Sequence, residues 1–458
     1  MRYLTLVLAV FAGMMLGGLG LTYKVASAEP NRTTYQELNL FMDILTRVRS
    51  DYVSEEKDQE LIEAAIQGML TSLDPHSSYM SPDSFEDMQV QSSGEYGGLG
   101  LEVTIRQGAV KVVTPIDDTP AARAGVEAGD FITGINGSSI LGGSLSEAVD
   151  EMRGPAGTPI TITVMRKGVD EPIDFTIVRE IITIRSVTSR IEDENIGYLR
   201  ISIFNENTGD LARKAIDELK ATAKSPLKGL VLDLRNNPGG LLNQAVEISN
   251  LFLDGGEVVS TRGRDPRDIE RYNARKGDVL DGLPIVVIIN AGSASASEIV
   301  AGAIQDRERG TLIGLKSFGK GSVQTVIPLN GGRDGALRLT TARYYTPSGR
   351  SIQATGISPD IEIAQRRLKK SENRVTEADL PNALKNEIEA AKLAKQQAEE
   401  SDDQSASEAN QSNASVDEEV VAEMPPEDFP EGEDYQLKRA KEILSELVLS
   451  EGAVSQKG

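Results

Sequence analysis

Two short segments carry residue types that can do hydrolytic chemistry. Asn290-Ala291-Gly292-Ser293-Ala294-Ser295-Ala296-Ser297-Glu298 follows an apolar run and opens a helical pattern, with three serines packed into one turn. Ser317-Phe318-Gly319-Lys320-Gly321-Ser322-Val323-Gln324 then presents a lysine between two glycines. A serine hydroxyl becomes a nucleophile when a base takes its proton, and the usual base is histidine. The single histidine, His76, follows Asp74-Pro75, where a turn or capping role suits it better than catalysis. A lysine held neutral by burial is the natural substitute. Together the segments read as a Ser/Lys hydrolase.

The residues alone leave choices open. Ser295-Ala296-Ser297-Glu298 is also a capping box, which starts a helix without any chemistry. Ser293, Ser295 and Ser297 compete for the nucleophile's place, and Lys316 competes with Lys320.

Periodicity supplies the elements that must hold these groups. From Ile196 to about Ile363 strands and helices alternate, with Gly229–Leu234 and Ile285–Ile289 as apolar runs of the buried, parallel kind. Helices are expected near Thr208–Ala221, Leu241–Leu253 and Ser295–Asp306, and strands near Leu312–Leu315, Val323–Leu329 and Leu337–Tyr345. In such α/β layers, ligand sites gather at strand C-termini. Upstream, Leu38, Phe41, Met42, Leu45 and Val48, then Leu61, Ile62, Ala65, Ile66, Met69 and Leu70, mark two amphipathic helices. Between these regions lie short strands and glycine turns, including Gly97-Gly98-Leu99-Gly100-Leu101, Thr119-Pro120-Ala121-Ala122-Arg123-Ala124-Gly125 and an Asn136-Gly137 hairpin turn. This order resembles a PDZ domain of the bacterial protease type over Tyr96 to Arg179. Gly98, Leu99, Gly100 and Leu101 match its carboxylate-binding loop, where successive backbone N–H groups form a nest for an anion.

Three motifs in register make the resemblance specific: Leu232-Asp233-Leu234-Arg235-Asn236-Asn237-Pro238-Gly239-Gly240, Gly292 to Glu298, and Phe318 to Gln324. The chain resembles the C-terminal processing peptidases, or tail-specific proteases, over about Tyr35 to Ile363. The resemblance implies an α/β protease core related to the crotonase-like fold, with an inserted PDZ-like domain and an N-terminal helical segment. It implies Ser295 as nucleophile, Lys320 as general base and Gln324 as the residue that orients the lysine. A glutamine can hold an amine by hydrogen bonds without adding charge. The N–H groups of Ala296 and of Gly239 or Gly240 are expected to form an oxyanion hole, with Arg235 and Asn236 bracing the turn. No metal and no cofactor is implied. A non-catalytic PDZ scaffold on a protease-derived core is the alternative function.

Composition bounds the setting. A net charge of -22 argues against nucleic acid as partner, and the absence of cysteine excludes thiol catalysis, disulfides and a lipoprotein anchor. Met1-Arg2, an apolar run from Tyr3 to Leu21 and Ala26-Ser27-Ala28 have the anatomy of a secretory signal peptide. Without cleavage the same run would serve as an inner-membrane anchor; either way the expected location is the periplasm. The expected organisation is a signal peptide (1–28), an N-terminal helical region with a possible dimerisation role (29–95), a PDZ domain (96–179), a protease core (180–365), a largely disordered linker (366–433) and a C-terminal helix (434–458). The stripe Leu437, Ala440, Ile443, Leu444 and Leu447 on that last helix suggests packing against another subunit or a partner. Expected partners are protein substrates with free C-terminal tails, a second copy of the chain in a homo-oligomer, and an activating adaptor protein. Arg262 to Lys276 reads as a basic surface loop.

Overall fold

The structure is a computed structural model that describes residues 33–106, 108–265, 267–367, 375–388, 390, 422–430 and 432–455. The expected signal peptide (1–28) and much of the expected linker lie outside the described residues. No helix among the described residues is long and apolar enough to cross a membrane.

By their internal contacts the described residues form two units, divided between Ile66 and Gln67. The first contains the helix Thr34–Asp51 and the start of the helix Asp58–Thr71. Thr33 and Gln36 form a capping box at the start of the former, which buries none of its residues within the unit. The helix Asp58–Thr71 ends three residues before Asp74-Pro75, so proline does not terminate it.

The second unit is built on a six-stranded sheet in the order Val187–Glu192, Ile196–Ile201, Gly229–Asp233, Ile285–Ile289, Thr311–Gly314, Ile361–Glu362. The first pair is antiparallel and the rest are parallel. Every residue of Gly229–Asp233 and Ile285–Ile289 is buried, because both faces of the sheet are covered. Successive side chains point to opposite faces. Leu230, Leu232, Val287 and Ile289 meet the helices Thr208–Thr222, Leu242–Phe252 and Ala296–Asp306, through Ile216, Ile248 and Ile299. Val231, Val286, Ile288 and Ile313 face the other way.

That other face is covered by the C-terminal helix, Tyr435–Ser455. Leu437, Ala440, Ile443 and Leu444 pack on it, so the stripe expected to meet another subunit or a partner serves the chain's own core. Arg235 fastens the start of this helix. Its guanidinium donates to both oxygens of Asp434 (2.8 and 2.6 Å) and to Gln436 Oε1 (3.1 Å), while also binding Asp233. Each buried aliphatic side chain stabilises by roughly 1.5–3 kcal/mol. A chain ending at Glu433 should therefore unfold at a temperature lower by roughly 5 °C or more, and aggregate through the bared sheet face; a calorimetric scan beside the full chain checks this.

A second sheet runs Ser78–Met80, Ala336–Tyr345, Gly256–Arg262, Ile269–Ala274, and Ser322–Pro328 also pairs with Ala336–Tyr345. It carries the segment that follows Lys320. The basic run from Arg262 to Lys276 is part of an antiparallel hairpin rather than a loop, and several of its charges are paired, Arg271 with Glu257 and Arg275 with Glu247.

Residues 101–178 form a separate small β layer, Leu101–Arg106, Ala109–Pro115, Phe131–Ile135, Pro159–Met165 and Ile173–Val178 in one sheet, with helices Pro120–Ala124 and Leu145–Met152. It has its own core of Val112, Ile132, Ile162 and Val164. Asn136 and Gly137 take φ of 48° and 79°, the left-handed pair that a tight hairpin turn needs. The chain enters and leaves this layer through one antiparallel ribbon, Glu95–Gly98 with Glu180–Thr183. Two pieces of the stretch expected as linker are held by the core. Asn386 donates to Gln353 O (2.9 Å), and Glu423 N–H donates to Glu362 O (2.8 Å).

Candidate active site

The buried strand Ile285–Ile289 delivers its turn to the N-terminus of the buried helix Ala296–Asp306, and Ser295 is the last residue before that helix. Its backbone sits at φ 54°, ψ -112°, a conformation that costs a non-glycine residue strain and recurs at functional turns. The neighbouring serines are committed elsewhere. Ser293 Oγ donates to Leu234 O (2.8 Å) and accepts from Asn290 N–H (3.0 Å), and Ser297 Oγ donates to Asn237 O (2.9 Å). Both are fully buried, whereas Ser295 keeps 7% exposure. The Tyr344 hydroxyl is a hydrogen-bond partner of the Ser295 side chain, and burial pushes that phenol well above its usual pKa, so it stays neutral.

Glu298 joins the serine turn to the lysine loop. Its fully buried carboxylate accepts from Ser295 N–H (2.8 Å) and Lys320 N–H (2.9 Å) on Oε2. On Oε1 it accepts from Ser317 Oγ (2.5 Å) and Gly319 N–H (2.7 Å). One oxygen thus holds the two backbones of Ser295 and Lys320 a single atom apart. Burial pushes the carboxyl up to about 7, against the pull of those four donors.

Of the two competing lysines, Lys316 is exposed and Lys320 is half-buried. Burial, with the Arg338 guanidinium nearby, holds the Lys320 amine below its usual 10.5, against the opposing pull of Glu377, Glu298 and Asp74. The flanking glycines serve close packing. A Cβ on Gly321 would lie 2.2 Å from Gln353 N, and Gly319 has φ +99°.

Gln324 is near but differently engaged. Its Nε2 donates to Ser322 Oγ (3.0 Å) and Thr340 Oγ1 (3.1 Å), and no hydrogen bond joins it to Lys320. A register shift between Val323 and Gln324 sets it opposite Thr340. At the expected oxyanion hole, Gly239 abuts the serine: a Cβ there would lie 2.9 Å from Ser295 Cβ and 3.0 Å from Ala296 N. Its N–H, however, donates to Asn237 Oδ1 (2.9 Å). That leaves Gly240, the second glycine considered, as the one whose N–H is uncommitted among the described residues, together with Ala296 N–H.

The small β layer presents a groove lined by Leu99, Leu101, Val149 and Met152, with Gly98 and Gly100 at its end. Leu101–Arg106 is an edge strand of that sheet, so its outer side is open to an added strand. Gly100 has φ +75° and no room for a side chain beside Thr119. Val90 and Gln91, from the helix Pro82–Ser93, line the same groove, and Arg153 pairs with Asp87 at its mouth. Among the described residues no cluster of three or more His, Asp and Glu is placed to hold a metal ion.

The profile of peptidase family S41 matches residues 195–363, that of a PDZ domain residues 111–166, and that of the activating protease CtpB N-terminal domain residues 20–84. A carboxy-terminal-processing protease of Bartonella bacilliformis is 58% identical over 335 residues, covering 73% of this chain and 76% of that one. The chain belongs to peptidase family S41. The carboxy-terminal processing protease CtpA of Bacillus subtilis is 36% identical over 337 residues, 73% of this chain and 70% of that one. Among solved structures, the photosystem II D1 C-terminal processing protease aligns with 31% identity, a TM-score of 0.41, and coverage of 73% of this chain and 94% of that chain.

In this serine-type S41 peptidase, sequence reasoning overlooked several residues around the candidate site. Glu298 read only as half of a capping box, yet it spans both loops. Tyr344 carried no signal, because its contact with Ser295 joins segments far apart in the chain, and Asn237 stood out only as one residue of its motif. Arg235 was expected, with Asn236, to brace the turn; its partner Asp233 also accepts from Tyr198 (2.7 Å), so the brace reaches a neighbouring strand.

Proposed function

We propose that this chain is an exported serine endopeptidase that grips the C-terminal tails of protein substrates in its PDZ groove and cleaves peptide bonds with Ser295 and Lys320. The observation that carries this reading is the shared Glu298 carboxylate, which holds the strained serine turn and the half-buried lysine loop together. Lys320, neutral, takes the proton of Ser295 Oγ as the oxygen attacks the scissile carbonyl. The resulting oxyanion is met by Ala296 N–H and a glycine N–H of the Gly239-Gly240 turn, beside the positive end of the helix Ala296–Asp306. Lys320 then passes its proton to the leaving amine, and the acyl-enzyme on Ser295 is hydrolysed by water that Lys320 activates in turn. Gln324 orients the lysine once substrate is bound, which requires its amide to leave Thr340.

The core is of the crotonase-related type, export places the enzyme in the periplasm, and the chain acts as a homo-oligomer through its N-terminal helical region. An adaptor or the bound tail shifts it to the competent arrangement.

Tail recognition is tested with one peptide in two forms. The free acid should bind the Gly98 to Leu101 loop and be cleaved. Its C-terminal amide should bind and react at least several-fold more weakly, since charge-assisted hydrogen bonds contribute roughly 1.5–3 kcal/mol each. Equal rates for the two would remove the tail-binding role.

A further inference from the structure

The chain's single histidine spends its Nε2 on a carboxylate that the catalytic account does not use. His76 Nε2 lies 2.9 Å from both oxygens of Glu377, whose side chain is 1% exposed. A carboxylate buried this deeply persists only with a partner, so the pair has a reason to exist. Glu377 belongs to the short helix Glu377–Asp379, inside the stretch that composition marks as linker. Its remaining contacts run to the lysine loop. Glu377 N–H donates to Phe318 O (3.0 Å), two residues before Lys320. Its Oε1 accepts from Gln353 Nε2 (3.0 Å), and Gln353 Oε1 accepts from Gly321 N–H (3.1 Å), directly after Lys320. One buried residue thus holds the loop on both sides of the amine.

We infer that Glu377 is a positioning residue for peptide cleavage: paired with His76, it fixes the Phe318–Gly321 backbone and so the direction of Lys320. The inference rests on the Ser295/Lys320 reading. Charge accompanies position. The groups acting on the Lys320 amine are Glu377, Glu298 from the serine helix, Asp74 from the segment before Ser78–Met80, and Arg338 from the long strand, with His76 facing Glu377 itself. Removing the Glu377 charge takes away support for the ammonium form, so the amine becomes free at lower pH. A residue that only stabilised the fold would leave the shape of the pH profile unchanged.

The test is the pH dependence of kcat/KM, with kcat and KM separately, for full-length Glu377→Gln, Gln353→Met and Lys320→Ala, each checked by thermal unfolding. Glu377→Gln should move the rising limb to lower pH and reduce plateau kcat roughly tenfold or more, with KM nearly unchanged. Gln353→Met keeps the charge and breaks the link to Gly321, so it should lower kcat with the limb in place. If Glu377→Gln does not fold, Gln353→Met decides, and wild-type kcat in it overturns the inference. An unmoved limb with undiminished kcat in folded Glu377→Gln also overturns it, while a dead Lys320→Ala leaves the dyad standing. An active Lys320→Ala would remove both together.

Discussion

Lys320→Arg should abolish peptide cleavage, with kcat/KM lower by roughly 10⁴-fold or more, while the protein still folds. A guanidinium keeps its proton at any working pH, so it cannot accept the one leaving Ser295. Ser295→Ala should be equally inactive, and the Ser295→Ala/Lys320→Ala double variant no worse than either single one, because the pair acts as a unit. The wild-type pH profile follows from the direction of the lysine's shift. Burial and Arg338 hold the amine below 10.5. The neutral, active form therefore accumulates as pH rises through that lowered value, and activity should climb with it. Steady-state rates across pH for the wild type and the variants check both statements. Turnover retained in Lys320→Arg would remove lysine as the base.

Glu298→Gln should be the most damaging change outside the dyad. The carboxylate accepts four donors on two oxygens, three of them backbone N–H groups. A carboxamide offers one oxygen, so its NH₂ must face donors on the other side. Each buried donor left unpaired costs roughly 1–3 kcal/mol, and the loosened loops should lower kcat by about 10²-fold. There is also a pH signature. Burial raises this carboxyl from 4.5 to about 7, so the folded state binds the proton more tightly than the unfolded chain does. That contribution to stability is complete below 4.5 and is lost as pH rises through 7. Denaturant unfolding at several pH values should show this slope in the wild type and lose it in Glu298→Gln. Unchanged kcat and an unchanged slope would mean that Glu298 is only a helix cap.

The sequence displays what is periodic and local. Gly229–Asp233 and Ile285–Ile289 were recognisable as buried strands because parallel strands covered on both faces are apolar throughout. The small β layer was recognisable from its glycine turns, and the strand-to-helix position of Ser295 from the change of period after Ile289. What stayed hidden are contacts made across the chain. Nothing local says that Glu298 reaches Lys320, that Glu377 reaches His76, or that Asn237 reaches Ile201 O. The C-terminal helix was visible as an amphipathic stripe, but its partner was misjudged. An acidic, serine-rich stretch before it suggested separation from the core, whereas Asp434 and Gln436 tie it to Arg235. Gln324 illustrates the opposite limit. The motif marks its position in the chain, while its side-chain direction depends on a strand register that the motif does not encode.

The most direct test of the account is the rate of fluorophosphonate labelling as a function of pH, with the modified peptide mapped, in wild type and Lys320→Arg. The account predicts one adduct, on Ser295, forming faster as pH rises, and none at a comparable rate in Lys320→Arg. An adduct on Ser293 or Ser297, or labelling of Ser295 that proceeds undiminished without the lysine, would contradict it.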